Sequence, residues 1–167
     1  MLKNRAIIQA SSRSEGNSRM IAKHINSNDK YDFFDLNKKE ILHFDYDFNN
    51  RNDDFFPLIQ ELIAYDRWIL ISPVYWYTMS GRMKVFFDRL SDLLKIYKDT
   101  GRKLRGKSIA LISCSEDEDL NEAFEIPVKL SAEYLGMTYL GHVHAVIRNG
   151  QLTDASKIDL KKFIEQQ

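Results

Sequence analysis

Apolar and polar positions are sorted into two kinds of block along this chain. Short unbroken apolar runs (Ala6-Ile7-Ile8, Trp68-Ile69-Leu70-Ile71, Ile109-Ala110-Leu111-Ile112) alternate with longer stretches whose apolar residues recur every three or four positions. The runs predict strands buried on both faces, and the spaced stretches predict helices with one inward stripe. Strands are expected at 6–10, 30–36, 67–72, 108–113 and 137–147. Helices are expected at 18–26, from Asp53 through Ile63, and at 80–97, 120–135 and 153–165. The helix at 80–97 has the longest stripe, with Met83, Phe86, Phe87, Leu90, Leu93, Leu94 and Tyr97 in series. Pro127 is expected to kink its helix, Gly136 to stop it, and Thr153 to cap the last one. Residues 37–52 read as a long connection carrying Phe44, Tyr46 and Phe48.

Strands and helices alternate throughout, which implies a parallel sheet covered by helices on both faces and one domain over residues 1–167. Five such units fit a flavodoxin-like, doubly wound α/β fold with strand order 2-1-3-4-5. In that order a ligand sits outside the carboxyl ends of strands one and three, where the winding reverses. The loops at those ends are the most unusual segments of the chain.

After strand one comes Ser11-Ser12-Arg13-Ser14-Glu15-Gly16-Asn17-Ser18. It offers hydroxyls, an amide, a guanidinium and a glycine that permits a tight bend, and a helix N-terminus follows it. Such a loop suits a phosphate monoester. It lacks the Gly-Lys-Ser/Thr close of a P-loop and the three glycines of a dinucleotide fingerprint. After strand three, Pro73 ends the ladder. Val74, Tyr75, Trp76 and Tyr77 follow on a loop before Ser80-Gly81 opens the long helix. Three adjacent rings on a loop point to a flat ligand lying against them.

Composition narrows the function classes. Basic and acidic residues balance at 24 each, so no net field draws in nucleic acid or an anionic membrane. The basic stretch 98–107 and the acidic stretch 116–125 read as a solvated loop and a solvated helix start. A single cysteine, Cys114, excludes an internal disulfide and a multi-cysteine zinc site. No apolar run approaches membrane-spanning length and the N-terminus has no signal-like apolar core, so a cytoplasmic location is expected. His142 and His144 share one side of a strand but have no third ligand at metal spacing; an ordinary surface or interface pair is expected, and no metal. Asp45 and Asp47 read as solvated loop residues. Cys114, at a strand's carboxyl end, reads as a small buried hydrophobe rather than a redox thiol.

With both loops described, the chain resembles the NAD(P)H-dependent FMN reductase and quinone reductase family of flavodoxin-like proteins. The matching residues are Ser11, Arg13, Asn17 and Ser18, then Ser72, Pro73, Tyr75, Ser80, Gly81, Lys84, Asp88 and Arg89. Ala10 stands where the family usually has glycine, and Ser113-Cys114-Ser115-Glu116-Asp117 replaces its glycine-rich turn after strand four. The resemblance implies FMN, with its phosphate held by Ser11, Ser12, Arg13, Gly16, Asn17 and Ser18. It implies the flavin ring along Pro73, Val74, Tyr75, Trp76, Tyr77 and Ser80, with a third contact at Ser113 and Cys114. It further implies NAD(P)H as co-substrate, a quinone, azo, nitroaromatic or flavin acceptor, and a homodimer covering the loop at 44–48 and part of the third helix. No side chain is expected to act as nucleophile or acid–base catalyst, because hydride transfer between stacked rings needs placement only. Lys84, Asp88 and Arg89 are expected to hold structure. An electron-carrying flavodoxin and a flavin-binding accessory protein are the alternative readings; carriers of that kind are acidic, and this chain is balanced.

Overall fold

The computed structural model describes residues 4–118, 120 and 122–166. Six strands form one sheet: β1 (Arg5–Gln9), β2 (Asp32–Asp35), β3 (Arg67–Pro73), β4 (Ser108–Ser115), β5 (Thr138–Arg148) and β6 (Gln151–Leu152). Their order is β2-β1-β3-β4-β5-β6, parallel except for the last pair. The predicted five-strand order stands, with β6 added as an antiparallel edge. Asn149 and Gly150 make that hairpin, at φ 50° and 72°, the left-handed pair that a two-residue turn requires.

Seven α-helices cover the two faces among the described residues: α1 (Asn17–Ile25), α2 (Phe55–Leu62), α3 (Gly81–Arg89), α4 (Asp92–Lys95), α5 (Lys98–Arg102), α6 (Ile126–Tyr134) and α7 (Asp154–Glu165). Ile8, Leu70 and Leu111 pack under α2, α3 and α6, around Phe55, Phe86 and Val128. Ile7, Ile69 and Ile112 pack on the other face under α1 and α7, around Ile21 and Leu160. Alternate residues of each central strand thus serve two cores, which is why these strands read as continuous apolar runs.

The single helix expected at 80–97 is broken into α3 and α4, with α5 following. Arg89, 1% exposed, sits at the break and reaches back over the Phe55 ring at 4.8 Å. It is bonded to Asp53, to Asp92 at 2.9–3.0 Å, and to the carbonyls of Leu42 and Asn50 at 3.0 and 3.2 Å. After Arg89 the next amides bond three residues back instead of four, and α3 ends there. A periodic stripe survives such a break, so the sequence pattern did not reveal it. Arg89 also pins the long connection, whose Asp53 and Asp54 accept from the amides of Leu42 and Glu40. Within that connection Phe44 packs edge-on against Tyr46 and Phe48.

The helix expected at 120–135 starts later. A 3-10 turn (Glu122–Phe124) precedes α6, and Pro127 lies in the first turn of α6, where a missing N–H breaks no helical bond, rather than kinking it. Positions 119 and 121 lie outside the described residues. Gly136, at φ 73°, ends the element as expected, and Thr153 caps α7 by accepting from the Ser156 amide at 3.2 Å.

Removing one partner of a buried ion cluster leaves uncompensated charge, at a cost of about 3–5 kcal/mol. Arg89→Met is expected to lower unfolding free energy by that amount in urea titration, whereas Lys84→Met, which loses only an exposed pair with Asp88, should change it by about 0.5 kcal/mol or less.

Candidate functional site

The two unusual loops meet at the carboxyl edge of β1 and β3 through one buried serine. Ser80 caps α3 by accepting from the Met83 amide at 3.2 Å, while its hydroxyl donates to the Ala10 carbonyl at 2.7 Å. Its own amide donates to Ser72 Oγ at 2.9 Å. Ser80 therefore spends its side chain on the frame, holding the start of one loop against the end of the other. Farther out, Ser12 Oγ and the Tyr75 hydroxyl meet at 2.7 Å. The structure thus brings together the two segments that the sequence singled out separately.

In the first loop, Ser11 is nearly buried and accepts from the Arg13 amide at 3.4 Å; Ser12, Arg13 and Asn17 face solvent. Gly16 occupies the N-cap of α1 and no side chain caps that helix, leaving its positive end to the loop. The bend does not need glycine's special freedom, since Gly16 has φ −106° and a β-carbon there would meet Arg13 Cβ only at 3.6 Å. A cavity of about 430 Å³ opens beside this turn, with Arg13, Arg19 and Lys23 on its wall against one carboxylate, Glu15. A hydrogen bond from Lys23 is the main cause of the lowered Glu15 pKa. Ser18 turns away from the loop mouth, 1% exposed, toward Cys114 Sγ at 3.7 Å.

Gln9, a polar residue at the end of an apolar strand, went unnoticed in the sequence. Its Nε2 donates to the Ser14 carbonyl at 3.1 Å and holds the loop down. Its Oε1, fully buried directly below the loop, has no partner in the described structure. An unpaired buried acceptor costs about 1–3 kcal/mol, so this end of β1 is built to receive a donor.

The second loop is a two-residue hairpin. Tyr75 and Thr78 exchange backbone hydrogen bonds at 2.9 and 3.2 Å, with Trp76 and Tyr77 at the tip. Both tip residues have positive φ, 50° and 65°, in a turn that favours asparagine and glycine. Two large aromatic residues in the left-handed region store strain of about 1–2 kcal/mol each, and Trp76 is 92% exposed, Tyr77 74%. Neither backbone preference nor core packing accounts for these residue types. Strain of this kind collects at ligand clamps.

The third expected contact is arranged differently. Cys114 is buried against the α1 side, and burial raises its thiol pKa to about 11. Ser113 points to the opposite face, where its Oγ lies 2.7 Å from His142 Nε2 and 2.7 Å from His144 Nδ1. The histidines, expected at a surface or interface, are instead partly buried partners of β4. A bulge with Gly141 at φ 103° shifts the β4–β5 register and turns them there. Burial, the main cause, lowers the His142 pKa to about 4.

A larger cavity, about 590 Å³, lies at the opposite end of the sheet between α1 and α7. Two of its basic residues are paired, Lys157 with Asp154 and Lys161 with Glu165.

The sequence matches the NADPH-dependent FMN reductase family over residues 5–151. The chain belongs to that family. It is similar to YwqN of Bacillus subtilis (strain 168), named as a candidate NAD(P)H-dependent FMN-containing oxidoreductase, at 24% identity over 83% of this chain and 82% of that one. The uncharacterised NAD(P)H oxidoreductase YdeQ of the same organism is 33% identical over 48% of this chain and 47% of its own. Among solved structures, the Trp repressor binding protein of Bacillus subtilis superposes with TM-score 0.76, at 19% identity over 96% of both chains. FerB, a flavoenzyme NAD(P)H:acceptor oxidoreductase from Paracoccus denitrificans, superposes with TM-score 0.67, at 17% identity over 98% of this chain and 96% of that one. The cofactor of this FMN reductase is FMN, and its electron donor is NAD(P)H.

Two outcomes follow from the local physics. Trp76→Asn with Tyr77→Gly replaces the tip by the pair its turn prefers, and chemical denaturation should show a gain of about 1–2 kcal/mol. His142 is held neutral in the folded state, so the unfolded chain takes up its proton first as pH falls. The stability it contributes is complete above about pH 6.5 and is lost toward about pH 4; His142→Gln should flatten the pH dependence of the thermal midpoint across that window.

Proposed function

We propose that FMN lies across the carboxyl edge of β1 and β3, its phosphate at residues 11–17 and its ring against the tip of the 75–78 hairpin, and that NAD(P)H and a small electron acceptor use the exposed flavin face in turn. The observation that carries this reading is the strained, solvent-exposed Trp76–Tyr77 tip, locked to the phosphate-type loop through Ser12 and Tyr75. Bound FMN supplies the two-electron chemistry, taking electrons from the nicotinamide and giving them to the acceptor. The chain's own residues bind and orient. Arg13 and the uncapped turn of α1 meet the dianion. Trp76 and Tyr77 give planar faces whose position the turn already sets, so little ordering remains to be done on binding. Quinones, azo compounds, nitroaromatics and free flavin are the acceptor classes such an open site admits. A second copy of the chain, covering the exposed ring of Tyr46, remains part of this reading.

Calorimetric titration of cofactor-free protein tests the placement. Arg13→Ala should weaken FMN about tenfold, the scale of one charge-assisted hydrogen bond, and leave riboflavin, which has no phosphate, unchanged. Trp76→Ala should weaken both ligands alike. Equal losses for FMN and riboflavin in Arg13→Ala would remove the phosphate from this loop, and unaltered affinity in Trp76→Ala would remove the ring from the hairpin.

A further inference from the structure

The polar group on the β4–β5 edge contains a chain of hydrogen bonds whose direction is forced by one atom. The Asp117 carbonyl can only accept, and it lies 3.0 Å from His144 Nε2. His144 Nε2 therefore carries a proton, which Ser115 Oγ at 3.1 Å shares. In a neutral ring His144 Nδ1 is then the acceptor, so the Ser113 hydroxyl at 2.7 Å donates to it. Ser113 Oγ in turn accepts from His142 Nε2–H at 2.7 Å. His142 is braced from behind, its ring stacked on Phe124 with centroids 5.5 Å apart. The far end is the segment after β4, where Ser115 Oγ also accepts from the Asp117 amide at 3.2 Å and donates to its carbonyl at 3.0 Å.

That segment leaves the sheet at the same carboxyl edge as the two site loops. Val74, at the foot of the aromatic hairpin, donates its amide to the Cys114 carbonyl at 2.9 Å, and Pro73 is in register with Cys114. In doubly wound sheets the ligand lies outside this edge. The chain ends on a backbone carbonyl that cannot pass a proton on, so it is built as a clamp and not as a proton conduit.

We propose that His144, aligned through Ser113 by His142, is a positioning residue that fastens residues 115–117 as the third wall of the cofactor site. This rests on the FMN placement above for its consequence, while the clamp itself is a property of the cofactor-free chain. It assigns a task to a hydrogen-bonded histidine pair beside Ser113-Cys114-Ser115-Glu116-Asp117, the segment that stands in place of a glycine-rich turn.

The clamp has a signature that simple packing lacks. Both rings carry their proton on Nε2, His144 toward the Asp117 carbonyl and His142 toward Ser113 Oγ. The charged groups around the pair are already engaged. Glu125, from the start of α6, accepts from the Tyr139 hydroxyl at 2.8 Å. Glu118 of the segment pairs with Arg148 of β5 at 2.7 Å. Glu116 and the Asp117 carboxylate are exposed.

The test uses three measurements on the full chain. Nitrogen-15 spectra of histidine-labelled, cofactor-free protein should show both rings as Nε2–H tautomers at pH 8, and Ser113→Ala should release that preference in His142. Amide exchange at Asp117 should quicken in His144→Phe, which has no donor, and stay near wild type in His144→Gln, which retains one at the Nε2 position. FMN affinity should drop about three- to tenfold in His144→Phe, the scale of one hydrogen bond, with His144→Gln within about twofold of wild type. An Nδ1–H tautomer on His144 at pH 8, or unchanged exchange at Asp117 in His144→Phe, overturns the clamp. Altered exchange with unaltered FMN affinity overturns its role at the cofactor site. Failure of the wild type to take up FMN would overturn the placement of the cofactor and leave the first two measurements to decide the clamp.

Discussion

The hydroxyl of Ser80 is the joint on which the site depends. It donates to the last carbonyl before the serine-rich loop and caps the helix after the aromatic hairpin, while the Ser80 amide is bonded to Ser72. Three elements are therefore registered by one buried residue. With the loop ends held this closely, Ser12 and Tyr75 meet across the gap. The two loops thus reach their mutual spacing without a ligand, and preorganisation of this sort reduces the ordering cost of any binding there.

A second constraint works outward from the same edge. Arg89, buried among two carboxylates and two carbonyls, ties the 37–54 connection to the helix beneath the hairpin. A buried ion cluster contributes little net stability compared with apolar packing, but it tolerates few alternative arrangements. Here it decides where a long, irregular segment lies. The strained tip at Trp76 and Tyr77 is the counterpart of that rigidity. Its surroundings hold a backbone conformation that its own residues disfavour, which is reason to look for the ligand there.

How much of this was legible in the chain varied with the range of the interaction involved. The central strands could be read because burial on both faces leaves unbroken apolar runs. The site loops could be read because their residue types suit neither strand nor helix. The break after Arg89 was invisible, since a change from four-back to three-back bonding leaves no mark on a three-to-four spacing. The edge strand β6 had left a sign, the Asn149-Gly150 dipeptide, which outranks strand length as a hairpin signal. The late start of α6 at Pro127 likewise follows from a rule about first turns that the apolar spacing obscured.

Sequence alone determined the α/β alternation and the strand order of the parallel core, because each follows from local composition and from the topology that right-handed crossovers permit. Tertiary structure alone decided which side chains of the loops at the carboxyl edge turn into the frame. Ser18 and Ser80 at motif positions, and Ser113 and Cys114 at the expected third contact, are each drawn into the frame by a partner on another element. The Gly141 bulge decided that two histidines meet Ser113 rather than solvent. Facing depends on register, and register is a relation between strands that no single stretch of residues contains.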